Sequence, residues 1–558
     1  MKSKVIRVLC LLLCLLMLVP LSLTACDVDG DHGGATTAAT TGTTAPGDAT
    51  TAATTGTTAP GDATTAATTG TTASGDATTA ATTGTTAPGN NGGDDVDLEN
   101  PNFTDWVEVY DMGIDGGTRQ INFLTYSDFN ERFYFFRHEG DADLGKGDVL
   151  AISAGTRTMI MEEIYQVAFN VIETNTIDSM LQASLMGNGG EYDLVYPHPT
   201  VGMNTLLTNG LLQNLYNFEA IDLSKPWWTQ AQVEAYSMDN WLVMATNQMS
   251  ICGQSMIAIV YNKDIYSEKK IGGDLYSMVY DGQWTIGQLK TLAMKYGEGA
   301  GDDDILDEND KCGMHSDHHN LFYWAFGGRV FDKDDDGNFY IAVDATHADE
   351  MSKALYDFLW NNEDKIALPD SSSSFADAAF LKSLKAFKQG NALFFTCELA
   401  GRYQRLWDCT FDVGYLPLPM LNTDQDDYYS ISSNGFFAIP QKVVDKRASS
   451  TLLEALAIHS YTNHRKTFFE TILLSRMSDN PEDYKMLSFI HDTKVYDWGY
   501  RHIVEHLRQD SPSSQSFLQF YVVYKKEASV FNYVQTHKKN WSRLLDDLNM
   551  IRNSKFEA

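Results

Sequence analysis

A Thr-rich repeat of 14 residues restricts where this chain can fold. The segment Thr-Thr-Ala-Ala-Thr-Thr-Gly-Thr-Thr-Ala-Pro-Gly-Asp-Ala begins at Thr36 and starts again at Thr50, Thr64 and Thr78. Its copies hold no Leu, Ile, Val or aromatic residue, so stacking them would bury no core. We therefore predict a disordered tether over 26–99. As a flexible coil it would reach on the order of 40 Å, and its Thr and Pro content is typical of an O-glycosylated stalk.

The segment before the repeat has the three parts of an export signal. Basic residues precede an apolar run from Val8 to Val19, and small residues lead to Cys26. The run is shorter than the roughly 20 residues of a spanning helix, so we predict a signal peptide over 1–25. Its ending, Leu-Thr-Ala-Cys, resembles the lipobox of bacterial lipoproteins. That resemblance implies that Cys26 carries a lipid anchor, such as palmitate, on the extracellular face of the cell membrane. The alternative is an ordinary signal peptide in which Cys26 has no role.

The composition changes at about Asn100 to that of a folded domain. Aromatic residues become dense, and segments of strand and helix character alternate, which predicts an α/β class. The 558 residues exceed the length at which one core stops growing, so more than one lobe is expected. The pattern predicts strands at Gln120–Tyr126 and Val167–Ile172 and helices at Met159–Gln166, Ile177–Met186 and Met203–Thr208.

One apolar run near the middle of the domain has the character of a buried strand. Five apolar residues, Met256 to Val260, lead directly into the polar residues Asn262, Lys263 and Asp264. A buried strand that leaves a sheet and ends at a loop has this pattern. By composition alone, it is typical of any inner strand of an α/β protein.

Several segments of the domain follow one another in a familiar order. They are Gly190–Val195, Leu206–Leu215, Ala258–Asp264, Gln283–Leu289, Gly327–Phe331, Lys388–Phe394 and Gly414–Pro419. Each segment alone is a weak signal, but their shared order resembles that of the extracellular solute-binding proteins of bacterial ABC importers, especially their sugar-binding branch.

This resemblance implies a two-lobe periplasmic-binding-protein-like fold of type II, with a hinge that the chain crosses several times. Residues 100–558 would form the solute-binding domain. Lobe one would hold about 100–258 and 425–475, and lobe two about 262–420 and 480–558. The first crossing would lie at Ala258–Asn262 and the second near Leu416–Ser432.

The resemblance also implies a function without bond breaking. A lipid-anchored binding protein would capture a sugar or oligosaccharide by lobe closure and deliver it to the permease subunits of an ABC transporter, with no cofactor.

The net charge of −33 argues against nucleic acid as a partner. The sequence shows no Gly-x-Ser-x-Gly, phosphate-binding Gly-rich or His-Glu-x-x-His motif. Two alternatives stay open, a stalk-mounted surface glycoside hydrolase and a carbohydrate-binding adhesin.

Candidate ligand residues combine aromatic faces, which cover the C–H side of a pyranose ring, with polar groups that bond hydroxyls. We rank Trp324 with Tyr323 first. Trp228 ranks second, since a Pro-Trp-Trp element often packs against its own lobe. Core packing is the alternative for each aromatic residue, and a surface ion pair is the alternative for Glu398 with Arg402. The predicted set is Asp128, His198, Thr200, Trp228, His319, Asn320, Tyr323, Trp324, Glu398, Arg402 and Asn434.

Two sequence patterns raise the question of a metal. His315, His318 and His319 have no carboxylate or Cys at a diagnostic spacing, so we interpret them as solvated or cleft-lining. The run from Asp332 to Gly337 matches half of an EF-hand loop, but its twelfth position is Val rather than Glu. We predict instead a β-hairpin with an Asp-Gly turn, and no metal site.

The cysteines that follow Cys26 also show no ligand spacing. We interpret Cys252, Cys312, Cys397 and Cys409 as small apolar fillers. A bridge between Cys397 and Cys409 stays open.

Overall fold

The computed structural model describes residues 101–556, except 142–143, 145–146, 254–256, 300–305, 316–318, 336, 363–364, 368–376, 400–402, 433–434, 479 and 501–515. The predicted signal peptide, the lipid anchor at Cys26 and the tether lie outside the described residues. Helices and two main sheets alternate along the described chain, which confirms the α/β class. None of the described helices has both the length and the apolar character needed to cross a membrane.

The first sheet is parallel and has the strand order β2-β1-β3. Its strands are β1 (Arg119–Tyr126), β2 (Val167–Thr174) and β3 (Leu194–Tyr196). Two later segments extend the sheet through antiparallel bridges. Ala438 exchanges backbone hydrogen bonds of 3.0 Å with Val195, and Phe437 pairs in the same way with Ala245. A segment that comes late in the chain is therefore built into the sheet of the earliest strands.

The second sheet is mixed and has the order β10-β4-β9-β5-β8. β4 pairs antiparallel with both of its neighbours, whereas β5 is parallel to β9 and β8. Every residue of β4 is buried, as its apolar run predicts. The strands are β4 (Ile257–Asn262), β5 (Cys312–His315), β8 (Ile366–Ala367), β9 (Ala392–Glu398) and β10 (Val413–Leu416).

Helices surround both sheets. Those before β4 are α1 (Phe103–Trp106), α2 (Phe129–Phe133), α3 (Val149–Tyr165), α4 (Ile177–Met186), α5 (Met203–Thr208) and α6 (Gln230–Tyr236). Those between β4 and β10 are α7 (Lys263–Glu268), α8 (Leu275–Tyr280), α9 (Ile286–Met294), α10 (Phe322–Ala325), α11 (Ala345–Trp360) and α12 (Asp377–Lys388). The last are α13 (Lys446–His459), α14 (Pro481–Asp492) and α15 (Phe531–Phe556).

Shorter helical turns complete the secondary structure. The 3₁₀ turns are Leu215–Asn217, Gln248–Gly253, His319–Leu321 and Tyr403–Leu406. The π-helical segments are Ser460–His464, Thr467–Met477 and Gln519–Tyr524. Helix α15 packs against α11 in the second half of the domain and also reaches α5 beside the first sheet.

The described chain passes between the two sheets at three places. It leaves the first sheet after Ala245 to enter β4, and it returns between the end of β10 and Phe437. It leaves again after α13 and its π-helical extension, which pack on α3. Helix α14 then packs against β10, where Asp483 accepts from the Lys263 ammonium and, at 2.6 Å, from the Tyr276 hydroxyl. These crossings give the two-lobe arrangement that the sequence resemblance implies.

A pair of short parallel strands runs beside the crossings. β11 (Ser430–Ile431) lies in the second crossing and pairs with β12 (Lys494–Val495), which follows α14. Both strands are two residues long, so few backbone hydrogen bonds restrain the connection. A short, lightly bonded connection of this kind can serve as a hinge.

The Asp-rich turn is a hairpin, as predicted. β6 (Phe331–Lys333) pairs antiparallel with β7 (Phe339–Ile341). The Asp334 side chain accepts the backbone N–H of Asn338 and so closes the turn. Within the described part of the chain, no group of His, Cys, Asp and Glu side chains is arranged to hold a metal ion.

Candidate functional site

The carboxyl end of a strand in the second sheet contacts the helix that follows β1 of the first sheet. Helix α2 follows the carboxyl end of β1, and its Arg132 guanidinium donates to the Glu398 carboxylate at 2.8 Å. Glu398 is the last residue of β9 in the second sheet. In open α/β sheets, ligands bind in the crevice beyond these strand ends. The ion pair joins the two sheets at such strand ends, and we place the candidate site, called the cleft below, there.

Three aromatic rings stand together on the first-sheet side of this cleft. The ring of Tyr126, at the end of β1, lies 4.6 Å from the ring of His198 in the loop after β3. The Phe129 ring at the start of α2 stacks on the same imidazole at 5.7 Å. Tyr126 and His198 are both half-buried. The predicted residue Asp128 lies between these aromatic residues in sequence and is exposed.

A backbone contact fixes the orientation of the His198 ring. The backbone N–H of Thr200 donates to His198 Nδ1 at 3.1 Å. Because a backbone N–H is always a donor, the neutral imidazole carries its proton on Nε2. The predicted residues His198 and Thr200 are thus brought together at Nδ1 of the imidazole.

Several buried polar atoms have no hydrogen-bond partner among the described residues. His315 ends β5 and is buried, and neither of its ring nitrogens has a hydrogen-bond partner in the described structure. Burial lowers the pKa of His315 to about 4, so the ring is neutral at pH 7. At the first crossing, Asn247 Nδ2 and Gln248 Oε1 are likewise buried and unpaired among the described residues. Such atoms are commonly satisfied by water or a ligand.

The crossing segment that faces this site passes very close to β3. A Cβ atom at Gly435 would lie 2.5 Å from the Pro197 carbonyl oxygen and 2.5 Å from the Tyr196 ring. No side chain fits there. The predicted residue Asn434 lies next to Gly435 but outside the described residues, as does Arg402.

Trp324 and Tyr323, the first-ranked candidates, have their polar groups bonded within the protein. The Trp324 indole N–H donates to Asp497 at 2.8 Å, and its ring packs edge-on against Tyr500. The Tyr323 hydroxyl donates to the Arg329 carbonyl oxygen at 2.9 Å. Both side chains are at least 98% buried. These contacts explain both residues as core, the alternative that the sequence left open.

His319 and Asn320 lie in the turn before α10 and are also buried. The His319 ring stacks on Phe322 at 6.4 Å. The turn follows the carboxyl end of β5, so these residues stay near the second-sheet edge of the cleft.

Trp228 and its neighbour Trp227 bind a buried carboxylate in the first half of the fold. Trp227 Nε1 donates to Glu454 Oε1 at 2.7 Å, and Trp228 Nε1 donates to Glu454 Oε2 at 2.9 Å. Burial raises the pKa of Glu454 to about 8, against the effect of its hydrogen-bond donors. Helix α13 carries this Glu, so the Pro-Trp-Trp element packs on its own side of the fold.

Some functional candidates carry little signal in the sequence. Arg132 lies in a stretch, 132–155, that the motifs leave unplaced, and Asn247 and Gln248 resemble ordinary loop residues. Their positions depend on contacts between distant parts of the chain. By contrast, Tyr126 is the last residue of a predicted strand, which is the signal that could have identified it. No disulfide joins Cys397 to Cys409 in the described structure.

Solved structures similar to this chain include three binding proteins. The GacH receptor of Streptomyces glaucescens, solved unliganded and with acarbose, is 14% identical, with a TM-score of 0.48 over 77% of this chain and 99% of that chain. An ABC substrate-binding protein from Listeria monocytogenes in complex with cycloalternan is 12% identical, with a TM-score of 0.45 over 78% and 99%. UgpB from Mycobacterium tuberculosis in complex with glycerophosphocholine is 13% identical, with a TM-score of 0.46 over 79% and 100%.

No family model and no curated protein matches the sequence. The fold described above therefore rests on the strand order, the crossings and the contacts of this chain itself.

Proposed function

We propose that this protein is an extracellular substrate-binding protein that captures a sugar or oligosaccharide between its two sheets and delivers it to an ABC transporter permease. The observation that carries this proposal is the meeting of the carboxyl edges of two separate sheets. The Arg132–Glu398 pair joins the two sheets, and the second crossing between them contains β11 of the short β11–β12 pair. A ligand that contacts both edges would favour the closed state, because only that state offers both sets of contacts.

The chemistry of the cleft suits a polyhydroxylated ligand. Tyr126 and Phe129 supply aromatic faces next to the N–H donor of His198. Flat apolar faces with adjacent donors and acceptors are what a pyranose ring requires. Asn247 Nδ2 and Gln248 Oε1, which have no partner among the described residues, add a donor and an acceptor. The proposed ligand set also keeps five residues that the sequence predicts from their positions in the chain. They are Asp128, His319, Asn320, Arg402 and Asn434.

The predicted segments outside the described residues complete the proposal. Lipid on Cys26 would hold the protein at the outer face of the membrane, and the tether would keep the binding domain clear of the surface. Radiolabelled palmitate incorporation into the wild type, compared with a Cys26→Ser variant, tests the anchor. Incorporation that is equal in both would contradict it.

A glycan panel tests the proposed binding function. We expect saturable binding by calorimetry, no change in the glycan, and a smaller radius of gyration in solution scattering when the ligand is bound. Glycan cleavage that stops when one cleft carboxylate is neutralised would favour a glycoside hydrolase instead. Undiminished sugar uptake in a strain without the protein would favour the adhesin.

We expect His198→Ala to weaken the affinity for the glycan about tenfold, the size of a lost hydrogen bond and ring contact. His198 lies on the cleft rather than in the core, so the urea unfolding midpoint should change little. Tyr340→Ala is the matched control, because it removes an exposed aromatic ring from the β6–β7 hairpin, away from the cleft. Equal affinities of the wild type and His198→Ala would remove His198 from the site.

A further inference from the structure

We propose that Arg132 and Glu398 form a latch that holds the two sheets in the closed arrangement and thereby sets the affinity of the cleft. The inference rests on the proposed function for its effect on affinity, but its effect on shape is independent of any ligand. It also gives Glu398, a residue expected to bind sugar, a different role.

The position of the pair supports a latch. Arg132 belongs to α2, which packs on β1 and β2 of the first sheet. Glu398 is paired with Ile257, the first residue of β4, and so belongs to the second sheet at the point where the chain enters it. The bond therefore joins two bodies that are otherwise connected here by the first crossing, and it can form only when they are close.

The environment of the pair favours a strong interaction. The Glu398 side chain is only 13% exposed and that of Arg132 is 35% exposed, so water screens the charges less than at an open surface. The Arg132 guanidinium also lies 5.3 Å from the centre of the Phe133 ring, which restricts its side chain. When a half-buried and restrained ion pair forms, its side chains lose less conformational entropy than those of a fully exposed pair.

The helix that carries Arg132 is itself held in place by a buried guanidinium. Arg157 of α3 is fully buried and donates to the Tyr134 carbonyl oxygen at 3.0 Å and to the Phe135 carbonyl oxygen. These two residues directly follow α2. Tyr134 has a positive φ of 55°, so the chain turns sharply at the end of the helix. The latch arginine thus projects from a rigid support.

The latch makes a prediction about shape in the absence of ligand. We expect Arg132→Ala and Glu398→Gln each to increase the radius of gyration of the unliganded protein and to weaken glycan affinity about fivefold, because the closed state becomes less populated. The double variant should lose no more affinity than either single variant. Exchanging the charges, Arg132→Glu with Glu398→Arg, should restore part of the loss.

A control separates the latch from a general effect of losing an ion pair. Lys290 pairs with Asp357 at 2.7 Å between helices α9 and α11, both beside the second sheet. Lys290→Ala should change neither the radius nor the affinity. The tether is the same in every variant, so differences in radius report the folded domain.

The outcomes distinguish the latch from the binding function. A larger radius in Arg132→Ala, with no glycan bound by the wild type, supports the latch and rejects sugar binding. Glycan binding with an unchanged radius in Arg132→Ala overturns the latch and leaves the binding function intact. Affinity losses that add in the double variant also overturn it, since they would mean that Glu398 contacts the ligand independently of Arg132.

Discussion

Asp497→Ala should lower the free energy of unfolding by about 4 kcal/mol or more, because it leaves several buried donors without an acceptor. The Asp497 carboxylate is 2% exposed and accepts four hydrogen bonds of 2.7 to 3.1 Å. Its donors are the Trp324 indole and the backbone N–H groups of Val330, Phe331 and Gly499. Each unsatisfied buried donor costs about 1–3 kcal/mol.

The location of Asp497 makes this loss more than local. It follows β12 of the hinge and binds the loop that leads into the β6–β7 hairpin. The next residue, Trp498, donates from its indole to the Tyr236 carbonyl oxygen at 3.0 Å and stacks on the Tyr236 ring at 4.4 Å. Tyr236 ends α6, which precedes the first crossing. The side chains of Asp497 and Trp498, which follow β12, therefore hydrogen-bond segments before and after the first crossing.

Urea unfolding of three variants measures the effect. Asp497→Asn keeps a carbonyl oxygen for part of the donor set and should lose less stability than Asp497→Ala. Trp324→Phe removes one donor and leaves the other three bonds in place, so it should cost about 1–2 kcal/mol. If the free energy of unfolding of Asp497→Ala lay within 1 kcal/mol of the wild-type value, the four hydrogen bonds could not contribute as the geometry indicates.

The strands and most helices near the first sheet could be predicted because their signals are local. Helices Ile177–Met186 and Met203–Thr208 match their predicted bounds, and the predicted strand at Gln120 extends by one residue to Arg119. The helix predicted from Met159 begins instead at Val149. Small and β-branched residues weaken its helical pattern, whereas the Asp148 side chain caps its true start by accepting from the Leu150 N–H at 2.9 Å.

The candidate site was harder to predict, because the sequence shows residue types but not their partners. A Trp beside a Tyr indicates a sugar platform as readily as a core, and only the bond to Asp497, 173 residues away, assigns Trp324 to the interior. Arg132 and Glu398 are separated by 266 residues. Their pairing depends on how two lobes face each other, which no local pattern encodes.

His459 should make the protein acid-sensitive. Burial, with a smaller contribution from the Arg157 charge, lowers the pKa of His459 to about 3 in the folded state. The unfolded chain binds the proton near pH 6.5. Stability is therefore full above about pH 6.5 and falls as the pH drops towards the folded pKa. From His459 alone we expect a loss of about 3 kcal/mol between pH 6.5 and pH 4.

A matched variant separates this titration from the many carboxylates. His459 Nδ1 has no hydrogen-bond partner in the described structure, and the ring packs near Phe103, so His459→Phe keeps an aromatic ring in an aromatic environment. The carboxylates titrate equally in both proteins, as does Glu454, whose raised pKa gives the opposite slope. The stability of His459→Phe relative to the wild type should therefore rise by about 3 kcal/mol from pH 7 to pH 4. A difference that stays constant over this range would show that the pKa of His459 is the same in the folded and the unfolded protein.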